Sequence, residues 1–342
     1  MTKTSGSVSR RALLGGAIAA GGASALGMPF IRRASAQEDY LSQTFQVVIP
    51  TREGGGAERL ARAFDAAWSE LLGQQFEYEF FPGAAGQIGY EVFVNRREAD
   101  GYNLLFGNMG PEMIMYATQN PDYKFPEDYF YFCRTDVDDS CIFVRADSEF
   151  QDIQQVVDAA KQDALNVAVS RIPHPASIGI LALGEQTGGQ FNLVPYQGGS
   201  PTQVAVLNGE VDIGALPIAG TLQMGDQFRV LTVFNEVNMF AEQTNNAPPV
   251  NEVFGTSLPD LYSSRSWAIR TQWADANPDQ FQLLSDTARK VFDDNAFRDA
   301  FAQTGAPVEV LKYGDRETCT EYALAMVEFA DRYRDILSAE RG

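Results

Sequence analysis

The sequence predicts an α/β protein of two domains joined by two hinge crossings around a cleft, and three observations carry that expectation. Short β-branched and aromatic runs alternate with amphipathic stretches in two separate series, one over residues 44–106 and one over residues 166–215. A paired run at 130–145 separates the series, and a late apolar run at 266–270 returns the chain to the first. Strand–helix alternation means mainly parallel sheets with both faces covered. These runs assign residues 40–145 plus 264–342 to the first domain and residues 146–263 to the second.

Taken in order, residues 44–50, TFQVVIP, make a strand of β-branched and aromatic residues, and a Gly-rich loop leads to a helix starting near Ala57. Leu60, Phe64, Trp68 and Leu71 recur at helical spacing, which predicts a buried face, and Gly73 is the stop. Residues 76–81 form the next strand, a turn runs from Gly83 to Gly89, a helix follows to about Arg97, and residues 103–106 are a strand. The run at 130–145 is expected as strand, polar turn (RTDVDDS) and strand. A helix with Ile153, Val156, Val157 and Ala160 inward precedes the second series: strands at 166–169, 192–195 and 211–215, helices ending near Gly188 and over 202–208, and a further strand at 230–234. Pro248-Pro249 marks an irregular return, Pro278 opens a helix carrying Phe281, Leu284, Ala288, Val291 and Phe292, and Asp315 caps a last helix with Cys319, Tyr322, Met326 and Phe329 inward.

The N-terminus has the layout of a twin-arginine export signal: Ser9-Arg10-Arg11-Ala12-Leu13-Leu14 opens a Gly/Ala-rich segment that closes at Ala34-Ser35-Ala36. Cleavage after Ala36 is expected, residues 1–36 being the signal, with the mature chain in the periplasm. The apolar part is too short and weak for a stable span. The chain has 26 basic and 45 acidic residues; the signal holds five of the basic ones and no acidic one, so 26 less five leaves 21 against 45 in the mature chain. Such an acidic surface repels phosphate at long range and excludes nucleic acid as a partner.

Chemistry-bearing patterns are sparse. The Gly-rich loops at 54–56 and 83–89 match neither phosphate-binding fingerprint, since no G-K-[ST] or G-x-G-x-x-G is present. What remains is the general capacity of free amides at a helix N-terminus to hold an anion such as a carboxylate. His174 is the one histidine, and there is no metal-ligand spacing and no nucleophile motif, so no enzyme activity, metal or cofactor is expected. Asp138-Asp139 and Asp293-Asp294 are expected as solvated charges. Cys133 and Cys141 flank the polar turn and either pair across a hairpin or are two small buried thiols.

Two blocks carry a family resemblance. Gly83, Gly86, Ile88, Gly89, Asp100, Gly101, Tyr102, Leu104, Leu105 and Gly107 fit a PGAGGNIG-like turn, a helix and a DGYTLLLGS-like strand. About a hundred residues on, Pro195-Tyr196-Gln197-Gly198-Gly199 and Leu207-Asn208-Gly209-Glu210-Val211-Asp212 resemble PYKGG…LLGGQVD. The chain thereby resembles the substrate-binding receptors of tripartite tricarboxylate transporters, the Bug family. That resemblance implies a two-domain type II periplasmic-binding-protein (Venus-flytrap) fold with two hinge crossings. It also implies a non-enzymatic, monomeric receptor that closes over a small organic carboxylate and delivers it to integral-membrane transporter subunits. A ligand-sensing subunit for a membrane signalling partner shares the fold, as does an envelope enzyme, which turnover of a bound substrate would reveal.

On the same resemblance, Gly54, Gly55, Gly56 and Ala57 offer amides, Asn108 and Met109 the strand-end contacts, and Ser170, His174, Ala176 and Ser177 the opposing lip, with Tyr196 and Leu216 at the back. Three departures stand out. Arg52 and Glu53 put charge into the first loop, where Arg52 either takes a second carboxylate or pairs with Glu53 or Glu58. Arg171 and His174 replace small residues in the second loop; either reaches a carboxylate, His174 with a pH dependence, or His174 points to water. Leu216 follows the strand where amino-acid-binding members have an Asp, which argues for an apolar or aromatic carboxylate over an amino acid.

Overall fold

The computed structural model describes residues 40–339, so the export signal and its cleavage site lie outside the described residues. Strand β1 (Phe45–Ile49) pairs in parallel with β2 (Phe76–Phe80) and β3 (Asn103–Asn108). Between them run helices α1 (Gly56–Leu72) and α2 (Gln87–Asn95), and α3 (Met109–Gln119) follows β3. Phe45, Val47, Val48 and Ile49 are all buried, as a strand covered on both faces requires. Leu60, Phe64 and Trp68 face inward as expected, but Leu71 is 41% exposed and Leu72 is buried in its place. A one-position shift at the last turn follows from the 3.6-residue period. Gly73 closes α1 in the left-handed conformation, its N–H bonded to the Ser69 carbonyl.

Strands β4 (Tyr129–Asp136) and β5 (Asp138–Arg145) follow. The second series then comprises α4 (Ile153–Gln162), β6 (Leu165–Val169), α5 (Pro175–Thr187), β7 (Phe191–Pro195), α6 (Gly199–Leu207), β8 (Ile213–Pro217), α7 (Ile218–Leu222), β9 (Phe228–Val233) and α8 (Val250–Phe254). The return is β10 (Tyr262–Ser263) and β11 (Arg265–Arg270), then α9 (Thr271–Ala276), α10 (Pro278–Val291), α11 (Asn295–Ala302), β12 (Leu311–Gly314), α12 (Arg316–Arg332) and α13 (Arg334–Ala339). Pro278 is at the start of α10 and the Asp315 carboxylate caps α12 by accepting from the Thr318 amide, both as expected.

Two six-stranded mixed sheets result, one ordered β12-β4-β11-β3-β1-β2 and the other β10-β5-β8-β6-β7 with β9 also on β5. The first is built around Trp267 on β11, whose ring lies 4.7 Å from Phe106 and 5.0 Å from Trp68 and also meets Phe64 and Phe76. The chain passes between sheets through single residues, Val137 between β4 and β5 and Ser264 between β10 and β11. The passages lie side by side, because Tyr262 and Ser263 pair with Asp139 and Asp138 while Ser266 pairs with Arg134.

This geometry bears on three expectations. Residues 138–145 belong to the second sheet, so the chain leaves the first sheet at Val137 and not after Arg145. RTDVDDS is no turn: it stays extended and hands the chain from sheet to sheet. Cys133 and Cys141 therefore lie on strands of different sheets and form no disulfide; Cys133, Cys141 and Cys319 are all free and buried. Burial pushes the Cys133 thiol well above its usual range and that of Cys141 up to about 12, so both stay protonated.

Candidate ligand cleft

The loop after β1 leads into the start of α1. Gly54 has φ +78°, its amide donates to Glu58 Oε2 at 2.5 Å, and Arg59 donates to the Gly54 carbonyl at 2.7 Å. Gly55 is the N-cap and has no side chain to cap the amides of the first turn, Gly56 and Ala57 among them. Facing this turn is Arg265: its Nη2 would lie 3.7 Å from a Cβ placed on Gly56. Arg52 turns outward to Gln197 Oε1 at 2.6 Å, across from the first series to the second, and not to Glu53 or Glu58. A second such link joins Arg171 to the Ala85 carbonyl at 3.2 Å.

Beyond β3, Asn108 begins α3 with its Oδ1 buried and without a partner, while Met109 is buried and donates its N–H to the Ser264 carbonyl at 2.7 Å. In the second loop, Ser177 is buried and spends its hydroxyl on the Arg171 carbonyl at 2.9 Å, Ala176 is buried, and the Ser170 carbonyl accepts from Gly198 at 3.2 Å. Tyr196 points to Glu210, 3.4 Å away, and Leu216 is buried on β8 beside Cys141. Of the residues expected at the ligand, the structure gathers Gly54–Ala57, Asn108 and Arg171 with Arg265. Met109, Ala176, Ser177 and Leu216 are buried, and the Tyr196 hydroxyl is turned to Glu210.

His174 neither faces water nor extends toward a ligand. It is 4% exposed and caps α5, with Nδ1 accepting from the Ala176 amide at 3.1 Å and Nε2 3.1 Å from Ser263 Oγ. An Nδ1 that accepts carries no proton, so the neutral ring donates from Nε2 to the serine and ties α5 to β10. Burial, then the nearby charges of Arg171 and Arg265, holds this imidazole well below its usual range. Its titration therefore lies outside the physiological window.

Sequence reasoning missed a buried ionic cluster at the crossings. Asp138 and Asp139, expected in solvent, are 2% and 1% exposed, and Asp136 is fully buried. Arg265 pairs with Asp136 through its guanidinium, donates its amide to Asp136 Oδ1 at 2.6 Å, and lies 3.6 Å from Asp138. Asp138 also accepts from the Ala219 amide at 2.9 Å, and Asp139 accepts from Asn235 at 2.8 Å. Glu112, in the first turn of α3, was missed as well and is fully buried.

Burial, against the opposing charge of Arg265, pushes Asp138 up to about 6; burial together with the Asp138 charge takes Asp139 to about 7. Burial, against Arg171, takes Glu112 to about 8. In the unfolded chain these groups release their protons near 3.8 and 4.5. Between those limits the folded state holds more protons, so their stabilising contribution is full at the acid end and is lost as pH rises through the folded values. At constant ionic strength, scanning calorimetry is expected to show Tm falling from about pH 5 to about pH 8, with a shallower fall in Glu112→Gln. A Tm that rises across this range contradicts the assignment.

Comparison with known proteins places this architecture. A family model described as "Tripartite tricarboxylate transporter family receptor" matches residues 60–320. A UPF0065 protein of Agrobacterium vitis is 26% identical over 280 residues, covering 80% of this chain and 78% of the relative. BugT of Bordetella pertussis is 23% identical over 287 residues, covering 79% and 82%. Among solved structures, the periplasmic binding protein BugD aligns with a TM-score of 0.69 at 19% identity, over 86% of this chain and 97% of its own. MatC of Rhodopseudomonas palustris, solved with bound malate, aligns at 0.66 and 18% identity over 86% and 99%. An R. palustris protein solved with adipate aligns at 0.68 and 18% over 87% and 97%. The two-sheet fold is that of these binding proteins. Among the described residues no helix is long and apolar enough to cross a membrane, and no cluster of His, Cys, Asp and Glu is placed to hold a metal.

Proposed function

Because this chain belongs to the tripartite tricarboxylate transporter receptor family, a family of solute-binding receptors and not of enzymes, we propose that it captures a small organic carboxylate in the cleft and hands it to membrane transporter subunits. The observation that carries this reading is Arg265, a guanidinium on the crossing strand whose Nη2 approaches the uncapped start of α1 at Gly56. Helix amides and a cation meeting at one point favour a carboxylate. The malate and adipate bound by two structural neighbours supply the ligand class.

The domains divide at Val137 and Ser264, and closure is a population shift driven by ligand contacts to both sides. Arg52–Gln197 and Arg171–Ala85 are the links that closure makes. The N-terminal sequence supports twin-arginine export to the periplasm, where the receptor acts as a monomer. Leu216, where amino-acid-binding members have an Asp, points away from amino acids.

A thermal-shift screen of mono-, di- and tricarboxylates, with malate, adipate and aspartate included, tests this function. At about 100 times Kd a ligand adds about 2.7 kcal/mol, enough to raise Tm by several degrees. At least one carboxylate is expected to do so and aspartate is not; silence across the whole panel rejects the function.

A further inference from the structure

We propose that Glu112 is a ligand-binding residue of the cleft that meets the ligand carboxylate as a carboxylic acid, so that this receptor takes up its ligand together with a proton. The inference rests on the carboxylate-receptor reading above and deepens it.

The site is built around one carboxyl group. Glu112 is fully buried, and Gly86, with φ +111°, leaves it room: a Cβ there would lie 3.1 Å from Glu112 Cγ and 3.4 Å from Oε1. The Tyr90 hydroxyl meets Oε2 at 3.4 Å, and the Asn108 amide faces the same carboxyl. Oε1 has no partner. Because the neighbours of this group are donors, the proton of the acid belongs on the unpartnered Oε1.

The surrounding charges leave a place for one anion. Tyr90 of α2, Tyr129 and Tyr131 of β4 and Tyr123 all face Glu112, and burial holds each phenol protonated. Asp136 and Asp138 offset Arg265, and His174 is neutral. Arg171 is different. Its hydrogen bond goes to the Ala85 carbonyl, and among the described residues no carboxylate is in ion-pair contact with it.

A half-buried cation without an ion-pair partner thus sits beside an acid with a free O–H. The group that satisfies both is a carboxylate, one oxygen on Arg171 and the other on Glu112 Oε1–H. An ammonium here would meet two guanidiniums, Arg171 and Arg265. If Glu112 is ionised beforehand, it repels the incoming carboxylate, and binding must take one proton from solvent.

The test is calorimetric titration of malate and adipate into the whole protein at about pH 7 and about pH 9, in buffers of different ionisation heat. Both acids are fully ionised throughout, so their own titration does not enter. With Glu112 releasing its proton near 8 in the free protein, affinity is expected to fall about tenfold over this range, with about one proton taken up per ligand at the alkaline end. Glu112→Gln keeps an N–H donor without titrating, so its affinity is expected to be flat with pH. If that variant does not fold, proton uptake by the unaltered protein decides alone. Binding that is equally tight at both pH values, with no proton uptake, overturns this inference and leaves the receptor reading standing. If neither acid binds, the titration is run with the carboxylate that gives the largest thermal shift, and absence of binding by every carboxylate of that panel at both pH values overturns the carboxylate reading and this inference with it.

Discussion

Replacing Arg265 with Gln is expected to destabilise the protein by about 3–5 kcal/mol, the effect of removing one partner from a buried ionic cluster. Asp136 and Asp138 are essentially inaccessible to water, and Arg265 is the cation that faces both. Without it, two carboxyls 0% and 2% exposed must take up protons or open the crossing to solvent. Urea unfolding measures the loss, and adding Asp136→Asn to the Arg265→Gln background is expected to restore part of it, since one buried charge is then gone. Ligand affinity should fall together with stability, because Arg265 also faces the start of α1. A destabilisation below about 1 kcal/mol, the range of exposed ion pairs, means that these aspartates are solvated after all.

Trp267→Ala is expected to cost about 3–5 kcal/mol, the range for truncating a large buried aromatic side chain. The ring is fully buried and lies against Phe64, Trp68, Phe76 and Phe106, side chains from α1, β2 and β3. Its removal leaves a cavity that several rigid rings cannot jointly fill. The strand it anchors also carries Arg265, so Trp267→Phe, which retains most of the apolar volume, is expected to recover much of the stability and all of the binding. Denaturant midpoints for the two variants separate the contribution of volume from that of strand register.

Local signals made most elements legible. The apolar periodicity of α1, the left-handed Gly73 that ends it, the Asp315 cap and the Pro278 start are each set by a few neighbouring residues, and each stands where expected. The crossings were less legible because what fixes them is distant in sequence. Thr135-Asp136-Val137-Asp138-Asp139 is polar enough to suggest a turn, yet it has no Gly, Pro or Asn to bend the chain. It stays extended because Arg265, more than a hundred residues later, neutralises its carboxylates.

The cleft shows the same division. Gly54–Gly56 at a helix start were recognisable from type and spacing, and Arg171 from its charge in an otherwise small-residue loop. His174 was misread in its physical role. A histidine ring can cap a helix as Asn or Asp does, and Pro175 at the first helical position was the available clue. Glu112 also left a signal, a lone acid among Met109, Met113, Ile114 and Met115 on one short helix. A charge in so apolar a segment calls for a buried partner or a ligand.

Native mass spectrometry of the purified protein, followed by release and identification of the bound molecule, decides whether this cleft holds a small organic carboxylate. An adduct is expected whose released species is an organic acid without an amino group, lost when Arg171 is replaced by Ala. Release of an amino acid or of a cationic compound, or retention of the same acid by the Arg171→Ala variant, would contradict a carboxylate held by Arg171.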